Sequence, residues 1–152
     1  MHILLDGSFL HRPPDGIAKA TTYLYTACVK IAPDLQITSI LRRKSPLSLP
    51  FPGRIINPHI PFPKNLWRNT AFPLWARLSN TDVTHFVSNG RIPRFFPEKR
   101  KAAISIHDIM PVTIPGFFKN DKKTDAYRRR YQHDLLRADL VFMTPEYSRN
   151  EI

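Results

Sequence analysis

Cysteine is almost missing from this chain. Cys28 stands alone, so no disulfide can form within the sequence, and a reducing compartment such as the cytoplasm is the simplest setting. The lone thiol is expected as a small buried residue of a helix. Long apolar runs are missing as well. No stretch approaches the ~20 residues that span a bilayer. The apolar run at the start is cut by Asp6 and has no basic leader before it, so it does not read as a signal peptide. Any membrane contact is therefore expected to be peripheral, at the inner face of the plasma membrane.

Glycine is scarce, with 5 residues, and neither a GxGxxG nor a Walker pattern occurs. His2, His11, His59, His85 and His133 show no metal-ligand spacing to one another or to Cys28, and HExxH and CxxC are lacking. No metal and no cofactor are expected. Ser105 and Ser148 lack the flanking glycines of a nucleophile elbow, which removes support for a hydrolase triad.

Acidic residues are outnumbered. Asp and Glu total 12 against 23 Lys and Arg, for a formal net charge of +11, and such an excess attracts nucleic acid, anionic lipid or phosphorylated ligands. The excess is +6 over residues 1–76 (9 basic, 3 acidic) and +5 over residues 77–152 (14 basic, 9 acidic), so it forms no polybasic tail. No RNP, KH, zinc-finger or helix-turn-helix signature accompanies it, and nucleic acid is not the expected partner. Short clusters of basic residues at 42–44, 99–101 and 128–130, and of basic with aromatic residues at 94–96 and 117–119, make a basic and aromatic surface. Most of these read as solvated faces; adsorption on an anionic leaflet is the functional alternative.

What is present is an alternation of strands and helices. Residues 2–5 read as a buried strand, then a turn through Pro13, Pro14 and Gly16 leads to apolar residues at helical spacing: Ile17, Ala20, Leu24, Cys28 and Ile31. Asp15 is placed as the N-cap of that helix. A second strand is expected over 35–41, with β-branched Ile37, Thr38 and Ile40. The prolines of 46–63 exclude a helix and leave room for one short strand around 54–57. A helix is expected over 65–78, interrupted at Pro73. Residues 83–87 and 102–106 read as interior parallel strands, residues 122–136 as an amphipathic helix with Tyr127, Tyr131 and Leu135 inward and Arg128, Arg129, Arg130 and Arg137 mostly turned away, and residues 140–143 as the last strand. Thr144, Pro145 and Glu146 then form a helix start. The order predicts one α/β domain with a doubly wound, Rossmann-like, mostly parallel sheet, and a domain that stops as a capped helix begins is expected to continue into a further one.

Two loops could carry chemistry. The turn before the first helix, with Asp15, Gly16, Ile17 and Lys19, offers free amides and a helix dipole to an anion. His107 and Asp108 follow the strand 102–106 at the carboxyl edge, where ligands bind in open α/β sheets; a histidine there can donate to a sugar hydroxyl or a diphosphate, and the adjacent acid can set its tautomer or touch a ligand itself.

Three stretches together resemble the family 4 glycosyltransferases, retaining enzymes of GT-B fold that include bacterial mannosyl- and rhamnosyltransferases. Leu4-Leu5-Asp6-Gly7-Ser8-Phe9-Leu10 with Pro14-Asp15-Gly16-Ile17-Ala18-Lys19 is similar to the family's opening DxRxL…GIGRY. Thr81-Asp82-Val83-Thr84-His85-Phe86, with Asn89, Gly90 and Pro93, then Ile104-Ser105-Ile106-His107-Asp108, is similar to its DvvH…P…vvtvHD centre. The segment from Ala138 to Arg149 resembles ADrvitvSefSr, with Thr144 in place of serine. Ser8, Ala18 and Lys19 depart from Arg, Gly and Arg.

The resemblance implies the acceptor-side N-terminal half of a GT-B transferase that moves a hexose from a nucleotide-diphosphate sugar to a carbohydrate or lipid-linked acceptor. It implies catalytic roles for His107 and Asp108, donor or phosphate contacts at Asp15, Gly16, Ile17 and Thr144, and an acceptor side shaped by Lys19, Asn89 and Phe117. The family's donor-binding domain is not in this sequence, so the 152 residues alone are expected to be inactive. The rival expectations are a basic nucleic-acid-binding module and a non-catalytic membrane adaptor.

Overall fold

The computed structural model describes residues 1–7, 16–41, 49–57, 63–89 and 91–143. Asp15, Thr144 and the helix start after it lie outside the described residues. The elements run β1 (His2–Asp6), α1 (Gly16–Ile31), β2 (Gln36–Ile40), β3 (Arg54–Ile56), α2 (Lys64–Leu66), a π-helical stretch (Trp67–Ala71), α3 (Phe72–Leu78), β4 (Val83–Phe86), β5 (Lys101–Ile106), α4 (Met110–Thr113), α5 (Asp121–Arg137) and β6 (Leu140–Met143). The expected strands are all present, within a residue or two of their anticipated ends.

The strands form one six-stranded sheet in the order β3-β2-β1-β4-β5-β6, and every pairing is parallel. This is a Rossmann-like doubly wound α/β fold, and its strand order reverses between β1 and β4, so a crevice opens there outside the carboxyl ends of the strands. The pleat sends alternate residues to opposite faces. Leu4, Ile40, Phe86, Ile104 and Ile106 meet Trp67, Phe72 and Tyr131 on one face, while Ile3, Leu5, Ile37, Leu41 and Val87 meet Tyr25 of α1 on the other. Covering both faces with helices is what allows these strands to be buried on both sides.

Gly7 closes β1 against β2. A Cβ there would overlap Leu41 Cδ2 and lie 2.8 Å from the Ile40 carbonyl oxygen, so no other residue fits without displacing backbone. Cys28 is only partly buried at the edge of the α1 core rather than fully inside, as had been expected.

Pro73 does not interrupt its helix. A proline has no N–H for the carbonyl four residues back, here Asn69, and its ring crowds that carbonyl. The chain widens by one residue instead: Phe72 N–H donates to the Trp67 carbonyl, a π-type closure just before the proline, and helical dihedrals continue on both sides. The widened turn keeps Trp67, Ala71, Phe72 and Ala76 buried against the sheet.

Candidate functional site

The carboxyl edge gathers the end of β1 at Asp6, the loop after β4 from Val87 to Asn89, and His107 and Asp108 after β5. His107 is held from two directions. Its backbone N–H donates to Asn89 Oδ1 at 2.7 Å, and its ring Nε2 donates to the Val87 carbonyl at 2.9 Å. Asn89 adopts a left-handed conformation (φ 51°), which asparagine tolerates better than most residues, and this turns its side chain back toward the neighbouring strand end. The Val87 carbonyl, as an acceptor, keeps a hydrogen on Nε2. The sequence had suggested Asp108 for this role.

Asp108 organises the next turn. Its Oδ1 accepts from Met110 N–H at 2.7 Å, starting α4, and its carbonyl accepts from the Tyr131 hydroxyl at 2.7 Å. Burial pushes the Tyr131 phenol up, so it remains a donor at neutral pH. From Tyr131 an aromatic series leads outward through Tyr127 and Phe118 to Phe117, whose ring is half exposed and meets Phe118 edge-on at 5.1 Å. Phe117 is thus tied to the Asp108 turn through packed rings.

The structure brings His107, Asp108 and Asn89 into one cluster and connects Phe117 to it. Gly16 opens α1 and is exposed, and no described residue lies within 4 Å of where a Cβ would stand. Ile17 is half-buried against the α1 core, and Lys19 is exposed one residue beyond Ala18. Among the described residues no group of His, Cys, Asp and Glu is arranged to hold a metal ion.

Beneath the edge, on the α1 face, the interior is polar. His85 is fully buried; its ring lies between the Tyr25 hydroxyl, 2.7 Å from Nδ1, and Ser105 Oγ, 2.8 Å from Nε2, with the Phe142 ring centred 5.1 Å away. Burial first, and the nearby His107 second, push His85 down to about 4, and burial raises the Tyr25 phenol. At neutral pH the ring is uncharged and has one lone pair to offer; the phenol, the stronger donor, takes it, and Nε2–H donates to Ser105. Spacing alone did not reveal this arrangement. Period-two alternation placed His85 in a strand, but only the register opposite Ala103 on β5, two residues before Ser105, brings these side chains together.

The basic residues divide by role once their contacts are seen. Arg100 spends its guanidinium on the carbonyls of Thr81, Arg77 and Ser79, and Arg137 on those of Pro93, Arg94 and Phe96. Both are structural clasps rather than surface charge. Arg130, expected to turn away from the apolar stripe, instead lies over the rings of Tyr127 and Tyr131 at 4.2 and 4.9 Å from their centroids.

Compared with the models of protein families and with curated proteins, the chain matches none.

Proposed function

We propose that this chain is the acceptor-side half of a retaining, GT-B-type glycosyltransferase that passes a hexose from a nucleotide-diphosphate sugar to a carbohydrate or lipid-linked acceptor. The observation that carries this reading is His107 at the carboxyl end of β5, braced by Asn89 Oδ1 and the Val87 carbonyl beside the crevice of an all-parallel sheet. A ligand-binding group belongs at that edge of this fold, and a histidine fixed at both backbone and ring is already oriented before substrate arrives. The motif resemblance supplies the chemistry. His107 holds the transferred sugar through hydroxyl contacts, Asp108 lies in the same cleft, and backbone amides at Gly16 and Ile17 approach the diphosphate, where fixed donors stabilise charge developing on the leaving group. A second domain, on this reading, supplies the remaining nucleotide contacts.

The test is His107→Ala in the protein as its native source makes it. Turnover should fall by about a hundredfold or more with nucleotide binding within a few-fold, since a well-placed group acts chiefly on the transition state. Near-normal turnover removes the role.

A specific surface feature favours peripheral membrane association alongside this activity. Leu66, Leu74 and Leu78 are exposed along the 64–78 helical run, where Arg77 is exposed too. No helix among the described residues is long and apolar enough to cross a membrane. Flotation with anionic but not zwitterionic liposomes, lost in Leu74→Ser/Leu78→Ser, is the expected outcome. Equal flotation of the variant argues against this surface.

A further inference from the structure

Next to the His107 cluster, the loop that carries Arg91 and the helix that carries Arg130 meet at one buried carboxylate, and Arg68 of the π-helical stretch lies within electrostatic reach of both arginines. Asp134, fully buried on α5, accepts the backbone N–H groups of Arg91 at 2.7 Å and Ile92 at 3.0 Å, which pins the loop after β4 against that helix. Arg130 lies one helical turn before Asp134, so its side chain shares that face of α5. The same loop is fastened to the π-helical stretch where Arg94 N–H donates to Asn69 Oδ1 at 3.4 Å, and Arg68 is the neighbour of Asn69.

The side chains are left in an unusual condition. Among the described residues, Arg91 Nε and Arg130 Nε and Nη2 are buried without a hydrogen-bond partner. Burying guanidinium donors unpaired is costly, and a folded protein tolerates it where something else completes them. Arg91 also holds a left-handed backbone (φ 73°), a conformation unfavourable for a long side chain and imposed here by the two bonds to Asp134. Burial, and then the charge of Arg91, lower the ionisation of Arg68, with Arg130 adding to the effect; Asp6 and Asp134 act in the opposite sense. The Asp134 carboxylate is already engaged by two amides and His133, so it balances the field without satisfying the forks.

We infer that Arg68, Arg91 and Arg130 form a binding site for a phosphoryl group at the carboxyl edge of the sheet, beside His107 and Asp108. Guanidinium forks match phosphate oxygens in pairs, and a dianion suits several arginines better than a single carboxylate would. The Arg130 guanidinium carbon lies 4.2 Å from the Tyr127 ring centroid and 4.9 Å from that of Tyr131, and these contacts place the group in advance. The site is separate from the amides of α1 and does not depend on the sugar-transfer reading. Its phosphoryl group could belong to a nucleoside diphosphate or to the diphosphate of a lipid-linked acceptor.

The experiment is titration of the chain with inorganic pyrophosphate, followed by calorimetry and by chemical-shift changes at Arg91 and Ile92. Arg91→Gln and Arg130→Gln should each weaken binding about tenfold or more, as expected for loss of a charge-assisted contact, and Arg129→Gln and Lys123→Gln, both on exposed positions of α5, should leave it within about twofold. If Arg130→Gln does not fold, Arg68→Gln on its separate element makes the same test. Acetate should bind far more weakly than pyrophosphate. Competition by uridine or guanosine diphosphate at lower concentration than pyrophosphate assigns the donor as the source, and competition by geranyl diphosphate instead assigns the acceptor; either supports the site. Equal weakening by Arg129→Gln and Arg91→Gln, or no saturable binding by the unaltered chain, overturns it. His107→Ala should keep pyrophosphate binding intact, so failure of the transferase reading and failure of this site are read separately.

Discussion

The Tyr25 hydroxyl donates to His85 Nδ1 across 2.7 Å inside the α1 face of the sheet, joining a helix and a strand that are 60 residues apart in sequence. The bond fixes an uncharged imidazole where a charged one would be stranded, and it makes this part of the core sensitive to acid.

Stability should fall between pH 6.5 and pH 4. His85 binds a proton near 6.5 when unfolded and only near 4 when folded, so across that window the unfolded state holds more protons. The contribution is fully present above 6.5, declines as pH drops, and levels off below 4, for a total of about 3 kcal/mol. Urea unfolding at several pH values checks this. His85→Gln, which keeps one donor and one acceptor, should flatten the slope; an unchanged slope would assign the acid sensitivity elsewhere.

Tyr25→Phe removes the donor and leaves the His85 lone pair buried without a partner. A loss of about 1–3 kcal/mol is expected by denaturant unfolding, and Ser105→Ala should cost a similar amount, because it leaves the buried Nε2–H without an acceptor.

Gly7→Ala should be disruptive at a position that carries no chemistry. The new methyl would press on Leu41 and on the Ile40 carbonyl oxygen, and backbone cannot yield as a flexible side chain does. Overpacking of this kind costs about 1–3 kcal/mol. A melting temperature equal to that of the unaltered chain would show that β1 and β2 separate more easily than this packing implies.

Asn89→Gly tests the brace on His107. Glycine accepts the left-handed φ, so stability should change by less than about 1 kcal/mol, whereas the oxygen that holds His107 N–H is lost. On the transferase reading, turnover should drop about tenfold or more. Unaltered turnover would mean that the Val87 carbonyl alone positions the ring.

The intact mass of the native protein, detected with an antibody against this chain, bears on the two-domain reading. A species near twice 17.6 kDa or larger is expected. A species at 17.6 kDa would favour recruitment of a partner subunit or the adaptor reading.

Much of the architecture was legible in the residues. Alternating β-branched strands and a helix spaced at Ile17, Leu24 and Ile31 specify an α/β layout because periodicity is a local property, and the short strand between the prolines of 46–63 follows from where proline cannot sit. His107 and Asp108 were legible as edge residues because chain order places them just after a buried strand. Local rules failed at Pro73, where a π turn absorbs the missing N–H and burial of Trp67 and Phe72 favours continuing the helix. They failed at the arginines too: Arg100 and Arg137 looked like surface charge, and Arg130 was assigned to the outer side of α5.

The sequence by itself determined the strand and helix order, the position of His107 at a strand end, and the sign and spread of the charge. Tertiary structure alone decided which charges became carbonyl clasps, which were buried at Arg91 and Arg130 without partners among the described residues, that the Val87 carbonyl accepts from the His107 ring, and that Tyr25, His85 and Ser105 meet. Periodicity is written in neighbouring residues, whereas these pairings depend on strand register and helix docking, which bring together side chains tens of residues apart.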